Sequence, residues 1–71
     1  MPAETQTPEL DVFVERHGKL FLFWPLTDAA RNWVHTEVPE GARFFGAALV
    51  VEHGFAPDVT RAMTDDGLEV A

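Results

Sequence analysis

Residues 10–24 read LDVFVERHGKLFLFW, and this run decides the fold. Leu10 to Arg16 and Lys19 to Trp24 are rich in Val, Phe and Leu, residue types that suit a pleated, half-buried surface. His17-Gly18 lies between them, and a glycine supplies the positive φ that a two-residue hairpin turn demands. The expected register pairs Arg16 with Lys19, Glu15 with Leu20, Val14 with Phe21, Phe13 with Leu22, Val12 with Phe23 and Asp11 with Trp24. Opposed residues share a face. One face then carries Val12, Val14, Phe21 and Phe23 and is the expected core face. The other carries Phe13, Leu20, Leu22 and Trp24, flanked by Asp11 and Glu15. A slip of one residue would exchange the faces of one strand, so everything downstream depends on this assignment. A ribbon apolar on both sides needs cover on both sides. A chain of 71 residues has little left to supply it, so association with a partner or a second copy is the expectation.

Outward from the hairpin, Pro25 cannot donate to a ladder and ends the second strand. Thr27 reads as an N-cap and Asp28 as a first-turn acid of a helix running to about Val38, with Ala30, Trp33, Val34 and Val38 as its apolar stripe. Pro39 and Gly41 stop it. Ala42 to Glu52, with FFGAALVVE, is the most continuously apolar stretch. It reads as a buried strand bulged at Gly46, or as two short pieces. Pro57 suits the first turn of a second helix, striped by Phe55, Val59, Ala62 and Met63. Gly67 is a C-cap glycine, and Leu68-Glu69-Val70 forms a short last strand. The order is β-β-α-β-α-β: a single α+β domain over residues 10–71, mainly an antiparallel sheet with both helices packed on one face. Residues 1–9, with two prolines, two threonines and two glutamates, read as a flexible N-terminal arm.

The composition narrows the function classes. Twelve acids face five bases, a formal net charge of −7, which repels a phosphate backbone and favours a basic protein surface. There is no Cys, so disulfides and Cys-based zinc sites are excluded. No run approaches the roughly 20 apolar residues of a membrane helix. The opening MPAETQTPE lacks the basic and apolar parts of a signal peptide, so no membrane association and a cytoplasmic location are expected.

Catalytic chemistry finds few candidates. Cys, Ser and Tyr are all missing, and threonine rarely serves as a nucleophile away from a processed N-terminus. Asp65-Asp66 are paired carboxylates, but beside a C-cap glycine such acids usually mark a solvated helix end. His17, His35 and His53 lack close ligand spacing, although a site assembled in three dimensions from His17 and His53 is conceivable. No phosphate-cradling glycine loop is present, and a domain this small is expected to have little room for a deep pocket of about 300 Å³ or more. No enzyme, cofactor or metal is expected, and a small metal- or ligand-binding enzyme is the remotest alternative. Phe21, Phe23, Phe44, Phe45 and Trp33 read as core. Phe13 and Trp24 read differently, because interfaces are enriched in aromatics. Stacking on single strands would need a basic groove, and Arg16, Lys19 and Arg43 are too few.

The pattern HG, then PLT-x-x-A-x-x-W, then FG-x-ALVVE, then DGL-x-V resembles a group of small uncharacterised proteins from bacteria and their mobile elements. The matching positions include Gly18, Pro25, Leu26, Thr27, Ala30, Trp33, Phe45, Gly46, Glu52, Asp66, Gly67, Leu68 and Val70. Ala47 stands where the pattern has a second glycine, and Gly54-Phe55 where it has a basic-aromatic pair. These positions are caps, turns and core, so the resemblance implies a fold and no catalytic motif. Size, acidity and lack of a catalytic set are similar to phage-encoded inhibitors of the anti-CRISPR type.

The expected function is therefore that of a small acidic non-catalytic binding protein, an anti-CRISPR-like inhibitor that occludes a basic surface of a nucleic-acid-binding complex. The expected contact residues are Phe13, Leu20, Leu22, Trp24, Asp65, Asp66 and Glu69. The alternative is a housekeeping homodimer paired through the exposed hairpin face.

Overall fold

In the computed structural model, which describes residues 9–38 and 40–71, strands β1 (Val12–His17) and β2 (Leu20–Pro25) form the hairpin. Helix α1 (Asp28–Glu37) follows, then β3 (Arg43–Phe45), β4 (Ala48–Glu52) and helix α2 (Ala56–Asp65). The four strands form one antiparallel sheet in the order β1-β2-β4-β3. This is the α+β class that the pattern of elements leads one to expect, with a different order, β-β-α-β-β-α. The expected arm, apart from Glu9, and the helix stop at Pro39 lie outside the described residues.

Two glycines account for the differences in strand layout. The hairpin turn is Gly18-Lys19, not His17-Gly18. Gly18 has φ +62° and, among the described residues, no non-glycine residue has positive φ, so the glycine occupies the first loop position, as a II′-like turn requires. The register therefore pairs His17 with Leu20, Arg16 with Phe21, Glu15 with Leu22, Val14 with Phe23 and Phe13 with Trp24. Each residue of β1 meets a β2 residue two places later than expected. A shift of two preserves side-chain parity, so both faces keep the expected members. Gly46, at φ +60°, does the same between Phe45 and Ala48. Ala42–Glu52 is thus two strands joined by a tight turn, rather than one bulged strand.

The core lies between one sheet face and both helices. Val12, Phe23, Leu49 and Val51 of the sheet cluster with Ala30 and Val34 of α1, Ala56 and Met63 of α2, and Leu68 beyond it. No polar or charged side chain is buried with them among the described residues. Thr27 caps α1, its hydroxyl accepting the Ala30 N–H at 3.2 Å, and Pro57 sits in the first turn of α2. At the other end of α2, the Leu68 N–H donates to the Met63 carbonyl and the Gly67 N–H to that of Thr64. With Gly67 at φ +93°, this is a Schellman ending.

Several expected core positions are exposed. Phe44 and Phe45 sit on the short edge strand β3, which has a neighbour on one side only, and both are largely exposed. Phe55, at the N-cap of α2, and Ala62 also face solvent, leaving Ala56 and Met63 as the buried pair of that helix. Trp33 is half-buried, and its indole N–H donates to Asp66 at 2.6 Å. The expected last strand is a single parallel bridge, Val12 to Val70, in which residues 69–71 run along the outer edge of β1. Among the described residues no helix is long and apolar enough to cross a membrane.

Candidate functional site

With both helices on one side, the opposite sheet face is open. Alternation along the strands places Phe13, Glu15 and His17 of β1, Leu20, Leu22 and Trp24 of β2, Val50 and Glu52 of β4, and Arg43 and Phe45 of β3 on it. Phe13 is 46% exposed, Leu20 40% and Phe45 64%. Leu22 lies in the central row between Glu15 and Val50 and is only 7% exposed, so this expected contact residue offers little surface. Trp24 is half-buried, and its ring meets that of Phe45 edge to face, with centroids 6.4 Å apart.

The polar part of this face is tied to the apolar part. The Trp24 indole N–H donates to Glu15 Oε1 at 2.9 Å, and His17 Nε2 lies 3.0 Å from Glu15 Oε2. These two contacts, the indole first, hold the Glu15 carboxyl below the usual carboxylate range. Glu15 is therefore an anion at neutral pH and an acceptor, and it fixes the Trp24 ring against rotation. Asp11, at the rim, is also held low, by the Thr27 hydroxyl and then by the Glu69 backbone N–H.

The expected contact residues do not all come together. Phe13, Leu20, Leu22 and Trp24 share the open face. Asp65 and Asp66 end α2, on the helix side of the sheet, and Asp66 is engaged by Trp33. Glu69 lies beside β1, its backbone carbonyl accepting from the Asp11 and Val12 N–H groups. Phe45 and Val50 complete the open face and were not singled out from sequence. The turn at Gly46 was the available signal, since reading it as a hairpin puts both residues in phase with Leu22 and Trp24.

Other chemistry is sparse around these groups. The hydroxyls of Thr27 and Thr64 donate to Asp11 and to the Arg61 carbonyl. Among the described residues no three His, Asp or Glu side chains gather as a metal site requires. His17 is on the open face, whereas His53 lies on the helix side, in a cleft between α2 and the hairpin. That cleft is broad and open to solvent, with a volume of about 760 Å³. No family model, curated protein or solved structure matches the chain.

Proposed function

We propose that this is a non-catalytic binding protein that docks a protein partner on its open sheet face. The observation that carries the reading is the exposure of Phe13, Leu20 and Phe45 around Trp24, on a face opposite both helices. Clustered aromatics and large aliphatics of this kind form interface centres, and monomers rarely expose them together. A net charge of −7 favours a partner with a basic surface and disfavours direct contact with nucleic acid. Basic protein surfaces commonly serve to hold nucleic acid, so the partner class is a cytoplasmic nucleic-acid-handling complex whose surface the protein occludes. The resemblance to small mobile-element proteins, and the similarity in style to anti-CRISPR inhibitors, support the same reading.

Affinity capture from the source cell, with wild type beside Leu20→Glu and Phe45→Glu, tests it. Wild type should retain a basic, nucleic-acid-binding protein, and both variants should lose it while keeping wild-type circular dichroism. Charge reversal at Asp65, Asp66 and Glu69 should weaken capture less, through slower encounter rather than lost contact. Equal capture by wild type and variants refutes the reading. So does a wild-type dimer in light scattering that Leu20→Glu converts to a monomer with no other protein retained, which is the homodimer outcome.

A further inference from the structure

The open face is not the only concave or apolar surface with a distinct chemistry. On the opposite side, the cleft between α2 and the hairpin has a floor of the half-buried Val14 and Phe21, with the fully buried Phe23 beneath them. Arg16 shares the β1 face of Val14 and opposes Phe21 across the hairpin. From α2, Arg61 lines the same cleft, with Thr60 and Thr64 on the same wall, and His53 closes the β4 end. Two of the five Lys and Arg residues of a chain with net charge −7 thus border one cavity, with Asp65 as its one acid.

Among the described residues neither arginine is in an ion pair: the Arg–carboxylate pair is Arg31 with Asp28, and His17 contacts Glu15. Arg16 donates through Nε to the Gly18 carbonyl at 3.3 Å, which leaves the rest of its guanidinium available. A small-molecule site has this composition: mostly apolar lining with a few convergent polar groups that fix one end of the ligand. Its volume, about 760 Å³, lies within the range of about 300–1,000 Å³ usual for such sites.

We infer that this cleft binds a small amphipathic carboxylate, its acidic head between Arg16 and Arg61 and its apolar body along the half-buried Val14 and Phe21. The guanidiniums supply charge-assisted hydrogen bonds, the Thr60 hydroxyl and His53 add polar partners, and the half-buried floor gains cover. This site is separate from the open sheet face, and its occupancy does not depend on the docking proposed there.

Titration of the ¹⁵N-labelled full chain with sodium octanoate, followed by amide shifts, tests the inference. Octanoate should move the amides of Val14, Arg16, Phe21, Thr60 and Arg61 saturably. Octan-1-ol, with the same tail and no charge, should bind roughly tenfold more weakly, the effect of losing one charged hydrogen bond. Arg16→Gln and Arg61→Gln should each weaken octanoate by a similar factor and leave octan-1-ol unchanged. Both positions are exposed, and the dispersion of each variant's spectrum reports that it is folded. Equal affinity for octanoate and octan-1-ol overturns the inference, as does unchanged octanoate binding in the folded Arg variants. Shifts that gather on Phe13, Leu20 and Phe45, or no saturable shift at all, overturn it equally.

Discussion

Asp11 ties three distant parts of the chain together through one residue. Its Oδ1 accepts the Thr27 hydroxyl at 2.6 Å, its Oδ2 accepts the Glu69 N–H at 2.8 Å, and its carbonyl accepts the Leu26 N–H at 2.7 Å. The hairpin, the cap of α1 and the C-terminal segment meet there. Because the contacts favour the ionised form, the folded state binds a proton at Asp11 less readily than the unfolded state does. The contribution is therefore fully present above the ordinary Asp pKa of about 3.9 and is lost as pH falls from there through the lower folded value. Glu15 acts with the same sign. Asp11→Ala should lower the Tm at pH 7 and reduce the acid-dependent fall of Tm below about pH 4, measured by thermal melts across pH. A variant whose acid limb matches wild type would show that the two side-chain contacts, from Thr27 and Glu69, do not favour the ionised carboxylate. Gly67 poses a different residue-scale question, since a Cβ there would meet nothing within 4 Å. Its requirement is purely the backbone, at φ +93°. Gly67→Ala should cost about 1–2 kcal/mol in urea unfolding, and Gly67→Asn should cost less because Asn tolerates left-handed conformations.

At the scale of elements, the sheet is unevenly protected. Strands β2 and β4 are paired on both sides, β1 is paired with β2 and bordered by residues 69–71, and β3 has one neighbour. Amide exchange should be slowest for Phe21, Phe23, Leu49 and Val51 and fastest among the strands for β3; comparable protection in β3 would mean that its free edge is covered in solution. Helix α1 depends on Thr27, which accepts from Ala30 and donates to Asp11. Thr27→Ala should cost about 1–2 kcal/mol and Thr27→Ser much less, read as shifts in the urea midpoint. These elements also show what was legible in the sequence and why. Apolar alternation tells which residues share a face, and a two-place difference in register leaves that unchanged because it preserves parity. The difference arises because Gly18, at φ +62°, takes the first turn position and not the second. Composition alone could not tell the turn at Gly46 from a bulge, so Phe44 and Phe45 were read as core when an edge strand exposes them. The cleft was illegible for a further reason. Arg16 and Arg61 are forty-five positions apart (61 minus 16), and only packing of α2 beside the hairpin brings them to one cavity.

The whole molecule carries more negative charge than its ion pairs use. Twelve acids stand against five bases, and the described residues form one Arg–carboxylate ion pair, Arg31 with Asp28, beside a His17–Glu15 contact. Both are at the surface, where such contacts contribute little. Net self-repulsion therefore opposes the compact state, while the same charge would steer the proposed basic partner. Salt screens both, with opposite consequences. Raising NaCl from about 0.01 to 0.5 M shortens the screening length from roughly 30 Å to below 10 Å. The Tm of the isolated protein should rise over that range, because repulsion between unpaired carboxylates is relieved. Capture of a basic partner should weaken over the same range, mainly through a slower association rate, since steering acts before contact. The proposed contact through Phe13, Leu20 and Phe45 is apolar and should keep the dissociation rate nearly constant. Differential scanning fluorimetry and surface plasmon resonance at matched salt concentrations separate the two effects. A Tm that falls with salt would mean that attractive pairs dominate the surface. A dissociation rate that climbs steeply with salt would mean that the partner is held by charge and not by the open face.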